Sequence, residues 1–142
     1  MKTFLAPDAL DYEQRGFYRL ATLKEGCPLA DELRPLWPAN AKLLFVAADP
    51  ADDTTTENDA MDLASALTKA GLSVGQVLVL QGETADAAAP LVAGAQVIVL
   101  GAGDKAKREA FFGEVGLPGL LAAAPDALVI ALDEGALAAA GR

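Results

Sequence analysis

Five short apolar runs set the rhythm of this chain: Thr3–Ala6, Leu43–Ala48, Val74–Leu80, Ala95–Gly101 and Ala127–Leu132. Four of them are nearly continuous in Val, Ile, Leu and Phe, without the polar alternate positions of a strand that has one wet face. Such runs mark strands covered on both sides, as in a parallel sheet between layers of helix. Between them the period changes. In Thr56–Ala70, residues Met61, Leu63, Ala64, Leu67 and Ala70 fall near one helical face, with Thr54, Thr55 or Thr56 as cap and Gly71 as stop. A second helix is predicted over Thr84–Val92, capped by Thr84 and stopped at Gly94. A third covers Lys105–Phe112, followed by a turn at Gly113–Gly116 and a helical turn over Pro118–Ala123. Asp31–Leu36 predicts a short helix stopped by Pro38, and Pro7–Pro28 yields no assignment.

This alternation implies right-handed crossovers and a parallel sheet. The expected architecture is α/β with three layers: five parallel strands in flavodoxin-like order 2-1-3-4-5, helices on both faces, one domain over residues 1–142. In such sheets sites form beyond the carboxyl ends of the strands. The residues there are Pro7–Asp8, Asp49–Asp53, Gln81–Glu83, Gly101–Asp104 and Asp133–Gly135.

Charge and composition narrow the chemistry. The formal net charge of −9 repels phosphates and anionic lipid, so neither nucleic acid nor membrane is an expected partner. No run approaches the roughly 20 apolar residues of a membrane span, and MKTFLAPDAL lacks a signal-peptide pattern. The single cysteine, Cys27, has no intramolecular disulfide partner, which fits a reducing, cytoplasmic setting. With only Lys24 as a nearby base, Cys27 reads as an incidental thiol. Ser65 falls within a helix and Ser73 at a strand start, so neither reads as an activated nucleophile. Trp37, Phe45, Phe111 and Phe112 read as packing residues. The sequence holds no histidine, so neither a Ser-His nor a Cys-His couple can be assembled from it.

Four segments occur in order along the chain: NAKLLFVAADPADD (Asn40–Asp53), AGLSVGQVLVL (Ala70–Leu80), LVAGAQVIVLGAG (Leu91–Gly103) and FFGEVGLPGLL (Phe111–Leu121). With CPLADELRPLWP (Cys27–Pro38) before them, they resemble the peptidase E-like branch of the class I glutamine amidotransferase-like superfamily. The resemblance implies a serine hydrolase whose last strand here runs into a G-x-S-A-G nucleophile elbow, with an oxyanion held by backbone N–H groups. The matching stretch is ALDEG, Ala131–Gly135. Asp133 stands where the serine belongs, Glu134 where the alanine belongs, and only Gly135 fits. The family's G-G-H-V-P-T-Q-N loop is matched by GAGDKAKR, Gly101–Arg108, with Ala102 at the second glycine and Gly103 at the histidine. The family continues beyond the elbow to further strands and a catalytic histidine that this sequence does not hold. The expected protein is therefore a shortened or engineered relative without a triad.

Other candidate chemistry is acidic. Asp133 and Glu134 form a carboxylate pair at the elbow, open to a nucleophile or base role. Against that, Asp133 suits a cap on the helix that follows. Asp49, Asp104 and Asp133, with Asp52 and Asp53, could gather at the sheet edge as oxygen ligands for Mg²⁺ or Ca²⁺, or serve turns and caps. Gly101, Gly103 and Lys105 could form an anion loop opening a helix, but the third glycine and a Walker pair are missing. Lys105, Lys107 and Arg108 read as a solvated face. No cofactor is expected. The apolar strand Ala127–Leu132 is expected at a sheet edge, inviting a homodimer through that side. The leading functional reading is a catalytically inactive domain with a structural or self-association role. The alternative is a hydrolase, or a small-ligand or metal binder, using the acidic carboxyl edge.

Overall fold

The computed structural model describes residues 2–142. Seven strands and six α-helices follow one another as β1 (Lys2–Leu5), β2 (Leu10–Arg15), β3 (Tyr18–Leu23), α1 (Leu29–Leu33), β4 (Ala41–Val46), α2 (Asp53–Lys69), β5 (Val74–Leu80), α3 (Ala88–Gly94), β6 (Val97–Leu100), α4 (Lys105–Val115), α5 (Leu117–Ala122), β7 (Leu128–Ala131) and α6 (Glu134–Ala139). Five strands form one sheet in the order β1-β7-β6-β4-β5, and every pairing in it is parallel.

Each continuous apolar run divides its side chains between two cores, which is why no alternate position is polar. Leu43, Phe45, Val97, Val99, Leu128 and Ile130 point to one face and pack with α1 and α2 through Leu29, Leu33, Ala60, Leu63 and Leu67. Leu44, Val46, Ile98, Leu100, Val129 and Ala131 point to the other, against α3–α6. Phe45, Phe111 and Phe112 are buried as expected. Trp37 is half-buried and its indole N–H donates to the Ser73 carbonyl at 2.8 Å.

The strand order differs from 2-1-3-4-5 read from the first strand. Starting from β4, the run β5-β4-β6-β7 has the 2-1-3-4 pattern, and β1 takes the fifth place, beside β7. The helices impose this arrangement. The β4–α2–β5 unit advances in one direction with its helix on one face; the later units advance the other way with their helices on the opposite face, as right-handed crossovers require. The long connection after β1 leaves that strand free to reach the far edge. The expected edge position of the last strand is thereby corrected. Lys2–Leu5 pairs with Leu128–Ala131 on one side and Val97–Leu100 on the other, so β7 lies inside the sheet and offers no edge to a second copy. The free edges are β1 and β5.

The unassigned segment holds an antiparallel hairpin. β2 and β3 pair from Leu10↔Leu23 to Arg15↔Tyr18 around the two-residue turn Gly16–Phe17. Gly16 opens the turn at φ 61°, a left-handed conformation that glycine adopts without a Cβ penalty. The hairpin lies against α2: Lys69 Nζ donates to the Ala21 carbonyl at 2.9 Å, and Arg19 pairs with Asp62 at 3.1 Å. Phe17, at the tip, is fully exposed.

Helix starts also shift. α2 is capped by Asp52, whose carboxylate accepts from Thr55 N at 3.1 Å, not by one of the threonines. Met61, expected on the buried face, is 59% exposed. The helix predicted over Thr84–Val92 begins as a 3₁₀ turn at Gly82–Ala87. There Thr84 Oγ1 donates to Val79 O and accepts from Gln81 N.

An interior β7 has a direct signature. Its successive amides, Leu128 through Ala131, should exchange with solvent deuterium only at the rate of global unfolding, whereas β1 and β5 should each show a fast-exchanging alternate set. Fast alternate exchange along β7 would restore it to the edge.

Candidate functional site

The carboxyl ends of the strands bring together most of the residues singled out from sequence, but they do not converge as one ligand set. Asp133 sits between β7 and α6 with both carboxylate oxygens engaged. Oδ1 accepts from Ala136 N at 2.8 Å, capping α6, and Oδ2 accepts from Arg108 Nη1 at 2.9 Å. Its backbone is ordinary extended chain, φ −154° and ψ 165°, not the strained turn of a nucleophile elbow. Glu134 is exposed and makes no side-chain hydrogen bond among the described residues.

Arg108 corrects the expected solvated face. Lys105 and Lys107 are exposed, but Arg108 is only 2% exposed and lies under the elbow. Its Nη1 also approaches the Gly103 carbonyl at 3.5 Å, while its Nε finds no partner among the described residues. A Cβ at position 135 would run into Arg108 Nη2, so Gly135 is the residue that lets the guanidinium pass beneath α6. A helical-spacing signal for Arg108 was present: it lies three and four residues before Phe111 and Phe112, both buried on the inner face of α4.

The other acids are distributed in the same way. Asp104 Oδ1 accepts from Lys107 N at 2.9 Å and so occupies the N-terminus of α4, where an anion held by Gly101, Gly103 and Lys105 would have to lie. Asp49 accepts from Ala51 N at 3.1 Å and Lys107 Nζ at 3.2 Å, and these contacts hold its carboxyl below the usual range. Asp49, Asp104 and Asp133 thus each have their own partners. No three Asp, Glu, His or Cys side chains among the described residues form a group suited to a metal ion.

The structure adds a feature not visible in sequence. Strand order reverses between β4 and β6, and a cavity of about 160 Å³ opens there. Phe45, Ala48 and Gly101–Gly103 form its strand side. Asp52, Thr55, Thr56 and Asp59 line it from α2, and Asp49 from the β4 loop. The two loops touch closely. A Cβ at Gly101 would meet Val46 O at 2.9 Å, and one at Gly103 would meet Ala48 Cβ at 2.9 Å. This is the switch-point crevice in which open α/β sheets bind ligands. A larger depression, about 630 Å³, lies instead at the amino ends of β1, β6 and β7. It is lined mainly by alanine and proline with Lys2, Gln96 and Asp126, and no reactive constellation faces it.

Asp59 is the perturbed acid of the crevice. Burial, then the nearby Asp62 carboxylate, pushes its pKa above the usual 3.8, with Arg19 opposing and Asp52 reinforcing the shift. Across the mouth of α2, the Asp53 carboxylate similarly raises Glu83.

No protein-family model matches the chain, and no curated protein matches it.

Because the folded state holds the Asp59 proton more tightly than the unfolded chain does, stability falls as pH rises from the ordinary carboxylate pKa through the raised one, and the penalty persists above it. Asp59→Asn should therefore melt at higher temperature than wild type at pH 7. The difference should shrink on acidification and vanish below the ordinary pKa. A variant less stable at pH 7 would contradict the assignment.

Proposed function

We propose that this chain is a catalytically silent domain of the flavodoxin-like, class I glutamine amidotransferase-like type, related to the peptidase E-like branch, in which the elbow serves a structural role. The observation that carries the reading is the double engagement of Asp133 on unstrained backbone. A nucleophile needs a free lone pair aimed at substrate and a base to activate it. Here one oxygen caps a helix, the other neutralises a buried guanidinium, and the sequence supplies no imidazole. Gly135, the one elbow residue that matches the family pattern, has a packing reason of its own in the passage of Arg108.

Structural use of the elbow makes it expensive to disturb. Removing the carboxylate leaves a buried, unpaired guanidinium and an uncapped helix. The role extends to association with a second copy along a free sheet edge. β5 suits this better than β1, since VGQVLVL contains no charged residue or proline and Leu78 is 39% exposed. A reducing cytoplasmic setting fits the unpaired Cys27, and among the described residues no helix is long and apolar enough to cross a membrane.

Asp133→Ala should lose about 3–5 kcal/mol in urea denaturation, and Arg108→Met combined with Asp133→Ala should recover most of it. The wild type should leave acyl and peptidyl esters intact. Turnover abolished by Asp133→Asn, with stability preserved, would reverse the reading. Sedimentation velocity at tens of micromolar should show a concentration-dependent dimer that Leu78→Lys weakens, and monomer alone would remove the association role.

A further inference from the structure

β5 has a strand on one side only, and its contacts fix which backbone groups face the open side. The Leu80 carbonyl accepts from Ala47 N at 2.9 Å, so Leu80 turns its backbone toward β4. Strand alternation turns Leu78 and Gln76 the same way, and turns Val79 and Val77 outward. Val79 agrees: its carbonyl accepts from the Thr84 hydroxyl at 2.9 Å, in the turn that follows β5. Val77 therefore stands at the middle of Val74–Leu80 with its N–H and carbonyl facing no strand. The two ends of this edge differ in charge. Beyond its carboxyl end stand Asp53, Glu57 and Glu83, none of them in a salt bridge among the described residues. Gln81 Nε2 donates to Glu57 at 3.1 Å, and Asp53 shares a hydrogen bond with Glu83 and raises its pKa. At the amino end stands the exposed Arg34, which donates to the Ala70 carbonyl at 2.9 Å and has only the exposed Asp31, 3.7 Å away, as a counter-charge.

We propose that β5 pairs antiparallel with β5 of a second copy about a two-fold axis at Val77, each copy's Arg34 facing the acidic end of the other. The pairing rests on the reading that the chain self-associates along β5, and adds its direction, register and polar determinants. An identical strand in this register sets Val77 opposite the partner's Val77, where each N–H donates to the other carbonyl. Val79 then comes opposite the partner's Gly75, and Gln76 opposite the partner's Leu78. A hollow of about 160 Å³, lined by Gln76, Leu78, Pro90 and Leu91, lies on that face and takes the partner's Leu78 out of water. Charge decides the direction. A parallel copy would set Asp53, Glu57 and Glu83 beside their own counterparts and Arg34 beside Arg34, and like charges so placed oppose association. The antiparallel copy exchanges the ends, so each unpaired acidic group meets a cation twice over in one symmetric contact. A strand from an unrelated chain would need no such match between the two ends of this one edge. The elbow has no part in the contact, so the pairing is independent of whether Asp133 is silent.

Amide hydrogen exchange and sedimentation velocity on the whole chain test the pairing. As concentration rises through the dimer midpoint, the Val77 and Val79 amides, fast in the monomer, should slow, while the fast set of β1 should not. This readout needs no variant. Added salt should weaken the dimer. Glu83→Arg and Arg34→Glu, each with an unchanged circular dichroism spectrum, should each weaken it by about tenfold or more. The double variant, which exchanges the two charges, should return to within about threefold of wild type. A dimer that leaves Val77 and Val79 fast, that ignores salt, or whose charge reversals are not rescued in the double variant would overturn this pairing and leave self-association standing. Monomer at every concentration would overturn both.

Discussion

Every backbone N–H and C=O of β4, β6 and β7 has to find its partner within the protein, because apolar side chains seal both faces of these strands. That demand orders the rest. A strand buried on both faces is satisfied only with a neighbour on each side. The three therefore lie in the interior of the sheet, and the more exposed β1 and β5 close its two edges. Helices must then cover both faces, and the loops that carry them are forced to the strand ends. Asp49, Asp52, Asp104 and Asp133 stand in those loops, where their charge keeps contact with water or with a helix N-terminus.

The elbow shows how charge is accommodated when it is driven inward. Arg108 sits at an inner position of α4, where its guanidinium is nearly cut off from water. Asp133 neutralises it while capping α6, so one carboxylate ties two helices to the end of β7. A pair of this kind adds little net stability, but either half alone is strongly unfavourable. It therefore constrains which neighbours position 133 tolerates more than it strengthens the fold. The crevice acids are handled differently. They remain at the solvent boundary, where Asp49 is held ionised by its own partners and the cost of burial appears as a raised proton affinity at Asp59.

How much of this could be read from sequence follows from the same physics. β4, β6 and β7 were legible because two-sided burial leaves an unbroken apolar run, while the half-exposed β5 was legible from its β-branched and apolar residues, with Val74–Leu80 matching it residue for residue. The hairpin was not, because its strands are half exposed and put Tyr12 and Tyr18 toward water, so their pattern does not report a core. Its one local sign was Gly16 opening a two-residue turn between alternating segments. The neighbour of β1 was illegible because it depends on a long-range choice that the connection through residues 6–40 leaves open. At the site, Asp133 was legible as a cap from its place before a helix. Arg108 was misplaced because its charge outweighed its spacing from Phe111 and Phe112, and the crevice depends on the approach of two loops far apart in the chain.

The pairing of Lys2 with Leu128 has a consequence for how the molecule comes into being. Translation delivers β1 before β4, β5 and β6, and its only sheet partner, β7, after them. A nascent chain must carry an unmatched strand past the emergence of β4, β5 and β6, and the sheet reaches full width only once β7 has left the ribosome. Until then β6 also presents an open flank of four wholly apolar residues. The interval between synthesis of β6 and of β7 therefore leaves an apolar sheet flank uncovered, and it closes in a single step in which β7 joins β6 to β1.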